Sequence, residues 1–192
     1  MSRFPAASSV RLPSVALPAA LALLLSACAS APQAASEGPP PPGPRDIAAS
    51  GTHSNAIANL ASASGSLVSG RMLLTASGDG VRVRGQVGGL VPNGAHGLQV
   101  HEHGNCSAVD ARSAGRYYDP LAGARQDGAV GDSPGRIVAG ADGVATVDMT
   151  VRGAVLGGGS DNDILGRSLL VLGATPGAIS ARVACGVITP SK

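Results

Sequence analysis

The sequence predicts an all-β fold, an antiparallel sandwich or Greek-key barrel, on three observations. Apolar and polar residues alternate with a period of two, Val81, Val83 and Val87 against Arg82, Arg84 and Gln86, and Val147, Met149 and Val151 against Asp148, Thr150 and Arg152. Turn formers separate such runs at Gly78-Asp79-Gly80, Pro92-Asn93-Gly94, Gly140 to Gly143 and Gly157-Gly158-Gly159. No stretch after residue 54 keeps a helical period. With 44% hydrophobic and 14% charged residues, the chain supports one packed domain. Aromatics are 2% of it, so the core must be Val, Leu, Ile and Ala, and platforms for stacking nucleic-acid bases are excluded. A net charge of +2 is too small to imply a polyanionic partner.

At the amino terminus, Arg3 and Arg11 precede an apolar stretch from Val15 to Leu25 that is too short to span a bilayer and has the pattern of a secretory signal. The following Leu25-Ser26-Ala27-Cys28 resembles a bacterial lipobox, which implies removal of residues 1–27 and lipid on Cys28; a plain signal peptide is the alternative. Loss of the two arginines takes the charge from +2 to zero. Ala29 after the cysteine favours the outer membrane where that position governs sorting. Residues 28–53, with Pro39 to Pro42 and many Ala and Ser, are expected to form a tether, since they offer little apolar area to offset ordering. The folded domain is expected over residues 54–192.

With Cys28 lipidated, Cys106 and Cys185 remain as a pair in an oxidising compartment, where a disulfide is the expected state; two free thiols are the alternative.

The segment Gly89 to Ser107, reading Gly-Leu-Val-Pro-Asn-Gly-Ala-His-Gly-Leu-Gln-Val-His-Glu-His-Gly-Asn-Cys-Ser, resembles the first metal-binding strand and disulfide loop of Cu/Zn superoxide dismutases. Ser113-Ala114-Gly115, Asp119-Pro120, Val130-Gly131-Asp132, Gly166-Arg167-Ser168-Leu169 and Arg182 to Ile188 follow in that family's order. The resemblance implies an eight-stranded Greek-key barrel with a copper and zinc site. It implies much less for this chain's chemistry, because fold and site are separable.

Position by position, most of the implied ligands are missing. The strand pair of copper histidines reads Gln99-Val100-His101, the bridging position is Tyr117, and the late-strand position is Leu172. One implied zinc histidine is Ala129, another falls in Ala124 to Gly128 where no His occurs, and Asp132 remains. His101 and Asp132 alone keep a donor, too few for redox copper or tetrahedral zinc. The loop from Gly173 to Ala181 carries no charged residue, so it steers no anion. Arg182 holds the implied anion-guiding position, with bonding of disulfide-loop carbonyls as its other reading.

A separate metal reading uses His101 and His103, two apart and expected on one strand face, with His96 near the strand start and Met72 or Met149 at hand. The alternative reading, which the resemblance implies, is that His96 is a buried hydrogen-bonding residue, His101 a relic and His103 a solvated replacement for an aromatic; His53 is expected at the surface. Tyr117 is expected to fill the bridging position and hydrogen-bond to His101 or Asp132. No tightly held cofactor is expected, low-occupancy copper or zinc being the alternative. The resulting reading is a periplasm-facing envelope lipoprotein with a degenerate metal site, a binding or structural module for an envelope protein or cell-wall partner. The alternative is a residual copper-dependent dismutase or copper-binding protein using His96, His101 and His103. The membrane is a partner through Cys28, nucleic acid is not, and a homodimer is allowed.

Overall fold

The computed structural model describes residues 43–125, 135–173 and 181–192. The signal segment, Cys28 and most of the expected tether lie outside them. Ten strands occur among the described residues: β1 (Asn55–Ser62), β2 (Ser69–Ser77), β3 (Gly80–Gly88), β4 (Ala95–His101), β5 (Tyr117–Asp119), β6 (Gly123–Arg125), β7 (Arg136–Val138), β8 (Ala145–Arg152), β9 (Ser168–Leu172) and β10 (Arg182–Pro190). All pair antiparallel, in the order β6-β5-β4-β9-β10-β1-β2-β3-β8 with β7 also on β4. Strand β7 packs beside β8 and so closes the sheet on itself. The expected eight-stranded barrel is thus β1 to β4 and β7 to β10; the β5–β6 hairpin is an addition at the edge of β4.

Alternation builds most of the barrel wall. In β3, Val81, Val83 and Val87 are buried while Arg82 and Arg84 are exposed, and in β2 Met72 and Leu74 face in while Leu73 faces out. Met72 is therefore a core residue and not a metal donor. Inward residues from the strands form one cluster in which Tyr118 is the only aromatic among the described residues. Strands β4 and β9 depart from the rule, because almost every residue in them is buried on both faces. Their inner faces join the core through Leu98, Val100, Leu169 and Val171. Their outer faces are roofed by the loop following β4, whose Ala111 and Ala114 form a second small cluster with Ala63, Leu170 of β9 and Cys185 of β10.

That roof is stapled by a disulfide between Cys106 and Cys185, with Cα atoms 5.7 Å apart and a sequence separation of 79. It joins the loop to the middle of β10.

The amino-terminal boundary differs from expectation. From Arg45 the chain is docked, not a free tether. The Asp46 amide donates to Asp161 Oδ2 (2.8 Å) and the Asp161 amide to the Asp46 carbonyl (2.8 Å). Buried Asn162 accepts from the Ala48 amide (2.9 Å) and donates to the carbonyls of Ala48 (2.8 Å) and Gly153 (2.6 Å). The physical reason is that this strap is held by polar backbone pairing, which counting apolar residues does not detect. Its partner, the loop after β8, turns through Gly157, Gly158 and Gly159, all at positive φ, and Asp163 accepts from the amides of Gly157 (2.7 Å), Gly159 (3.0 Å) and Leu165 (2.8 Å). Those glycines form a turn, as expected.

Candidate functional site

The candidate site lies on the roofed outer face of β4 and β9. Strand alternation puts Gln99 and His101 on that face, and the register sets Gly97 opposite Leu172, Gln99 opposite Leu170 and His101 opposite Ser168. On the other side of β4, Tyr117 is the register partner of His101, so phenol and imidazole share a face as neighbours. Gln99, His101, Ser168 and Leu172 are all buried.

His101 is oriented by the roof. Its Nδ1 lies 3.1 Å from the Gly115 carbonyl, and because a carbonyl only accepts, Nδ1 carries the proton. In the neutral ring the lone pair is then on Nε2, the tautomer of a metal-ligating imidazole. The same carbonyl accepts from Arg182 Nη2 at 2.7 Å, while Arg182 Nη1 donates to the Ala111 carbonyl at 2.9 Å. Arg182 therefore ties the roof to the start of β10.

The other imidazoles do not join His101. His96 is buried at the beginning of β4, five residues away and hence on the opposite face, with Nδ1 3.1 Å from the Leu172 carbonyl. Burial pushes its pKa below the ordinary value, against the pull of the Leu172 carbonyl. The expectation that His101 and His103 share a strand face is corrected: β4 ends at His101, the chain bends, and His103 is exposed with its amide on the Ala114 carbonyl (2.9 Å). His53 is exposed beside Thr52. Among the described residues no three His, Cys, Asp or Glu side chains come together in a group able to hold a metal ion.

Copper does not fit the residues of this face. Leu172 is 1% exposed at the late-strand position, donates nothing and occupies the space, and Gln99 offers an amide where an imidazole is implied. All four histidines of the chain are described, and no three of them come together. The implied zinc positions Ala129 and Asp132 are outside the described residues, as is the loop between Gly173 and Ala181.

Several residues that hold the site together were not singled out from sequence. Glu102 receives a bidentate pair from Arg116, Nε to Oε2 and Nη2 to Oε1, both 3.0 Å, and also the Arg116 amide at 2.8 Å. These bonds hold the Glu102 carboxyl down at about 2. Arg167 donates to the carbonyls of Asp163 (2.7 Å) and Glu102 (2.8 Å) and lays its guanidinium over the Tyr118 ring, 3.5 Å from the centroid. Tyr118 in turn donates to the Asp161 carbonyl and accepts from Arg45 Nη2 at 2.8 Å. Charged residues beside Gly-rich runs were the available signal, but they do not name a partner.

A closed antiparallel barrel, with a disulfide-stapled loop roofing one strand pair and an arginine bonded beneath it, defines a class of disulfide-stapled Greek-key β-barrel proteins. Residues 68–188 match the copper/zinc superoxide dismutase family. The chain is 34% identical over 123 residues to "Superoxide dismutase [Cu-Zn] 2" of Mesembryanthemum crystallinum, covering 55% of this chain and 76% of that protein. It is 34% identical over 157 residues to the "Extracellular superoxide dismutase [Cu-Zn]" of Brugia pahangi, covering 71% and 76%. The chain belongs to the copper/zinc superoxide dismutase family.

Proposed function

We propose that this chain is a family member whose copper centre has been dismantled, and that it serves as a non-catalytic binding or structural module of the cell envelope, held there by lipid on Cys28. The observation that carries the reading is Leu172, fully buried at the late-strand position, with the amide of Gln99 on the neighbouring strand. Redox copper needs several imidazoles around an open coordination position, and His101 is the one imidazole on this face. The staple, the Arg182 bonds and the Glu102–Arg116 pair hold the roof without calling on a cation. An extracellular relative agrees with an exported protein, and the lipobox-like Cys28 adds the anchor.

The test is metal analysis of the purified chain after reconstitution with copper and zinc, beside a dismutase assay. The reading expects copper well below one equivalent and no dismutation above free buffer. Near-stoichiometric copper, with activity abolished in His101→Ala, overturns it.

A further inference from the structure

The outward positions of β1, β2, β3 and β8 form one exposed sheet face, and its charge is one-sided. Alternation sends Arg71 of β2, Arg82 and Arg84 of β3 and Arg152 of β8 to solvent on that face, and the sole acid among those positions is Asp148. Asp148 is already committed: Arg82 grips both its oxygens at 2.7 Å, and Arg84 Nε reaches Oδ2 at 3.4 Å. Arg71 and Arg152 have no hydrogen bond or ion pair with any described residue. Register sets Leu73 opposite Arg84 and Arg71 opposite Gln86, so Arg71 and Arg84 are diagonal neighbours. A shallow groove lined by both also takes in Ser69, Leu73, Gly85 and Gln86. The overall charge of the chain hides this segregation, since most of the acids sit on turns and loops.

We propose that this face docks on the anionic phospholipid headgroups of the membrane, its arginines taking the phosphodiester oxygens. The proposal rests on the preceding reading that lipid on Cys28 holds the chain to a bilayer. Cys28 and Gly43, where the described chain begins, are 15 residues apart, so the barrel stays within about 50 Å of its anchor. In that range each arginine that meets an anionic surface raises partitioning about fivefold, and the anchor has already met the cost of bringing barrel and bilayer together. Guanidinium forks suit phosphodiester oxygens and stay charged at any physiological pH. A protein partner is disfavoured. Protein interfaces take most of their energy from buried aromatic and apolar anchors, and Leu73, at 52%, is the one exposed large apolar side chain on this face. Headgroups ask only for a wet basic surface.

The test measures co-sedimentation of residues 28–192, which include every described residue, with vesicles of phosphatidylcholine alone or with about one-third phosphatidylglycerol. The chain carries Cys28→Ser, so that no lipid contributes. At low salt, binding is expected on the anionic vesicles about a hundredfold above the neutral ones, and it should fade as added salt shortens the screening length to about 3 Å at 1 M. Arg71→Gln with Arg84→Gln should lower it about twentyfold. Arg112→Gln with Arg136→Gln makes the same charge change at exposed positions elsewhere and should lower it far less. All four arginines are exposed, so both double variants should melt with the parent. Equal binding to the two kinds of vesicle, no binding to the anionic ones at low salt, or equal loss in the two double variants overturns the proposal. So does poly-glutamate holding the chain more tightly than the vesicles, which assigns the face to an acidic polypeptide. Incorporation of labelled palmitate into the parent and not into Cys28→Ser separates the two readings. Its absence fails the anchor and this proposal with it, whereas palmitate without vesicle binding removes only this inference.

Discussion

At the scale of single residues, Glu102 shows how a roof can be held by charge. Its carboxyl is held at about 2 against an ordinary 4.5, so it is depressed on folding, and its contribution is present above the unfolded value. That contribution is lost as pH falls from about 4.5 toward about 2. Arg116 is 63% exposed, so solvent screening reduces the worth of the pair to about 1 kcal/mol. Glu102→Gln should therefore cost about 1 kcal/mol at neutral pH, a gap that closes at the acid end; urea midpoints measured across that range check it. A constant gap at every pH would mean that the amide disturbs packing and not charge. The residues themselves decided how much of this site was readable. Gln99, Tyr117 and Leu172 could be placed by their motifs, because identity alone tells that an amide, a phenol or an alkyl chain stands where imidazole is implied. The direction of His103 could not, since it depends on β4 ending two residues earlier, and neither could the pairing of Glu102 with Arg116 across the turn that follows.

At the scale of elements, the loop between β4 and β5 has little apolar area of its own to hold it down; its small cluster is largely alanine. The disulfide to β10 supplies what the cluster lacks. Closing a loop of separation 79 restricts the unfolded chain by roughly 4–5 kcal/mol in the chain-entropy account. Cys106→Ser should lower stability by several kcal/mol under oxidising conditions, read as a fall in melting temperature that the parent matches only after reduction. An unchanged melting temperature would show that the bridge is dispensable. Elements also differ in how well sequence announces them. Strands β3 and β8 were visible because one face meets solvent and the apolar period is clean. Strands β4 and β9 were placed by their resemblance motifs and not by periodicity, because a roof buries both faces and erases the alternation. Three-residue strands such as β5 to β7 are too short to show a period at all.

At the scale of the whole molecule, the barrel is closed by residues that are remote in sequence. Asn162 joins the strap at Ala48 to the loop at Gly153, and it is 1% exposed while doing so. Asn162→Ala would leave the Ala48 amide and two carbonyls without their partner, at a cost of about 2–4 kcal/mol. Chemical denaturation should show that loss, and limited proteolysis should cut first within residues 43–53. Resistance of that segment in the variant would mean that Asp161 and Arg45 hold it unaided. The strap escaped sequence reading because low hydrophobicity argues for a free chain, and only the fold places a polar loop where it can receive the backbone.

That strap also has a mechanical consequence. The guanidinium of Arg45 is bonded to the Tyr118 hydroxyl, and Tyr118 is part of the wall of a cleft between β5 and β8. A pull arriving along the amino-terminal segment is therefore delivered at Arg45 both to β5 and, through the Asp161 carbonyl, to the loop after β8. Tension on the chain would be felt first as shear across that wall, where the sheet is already parted.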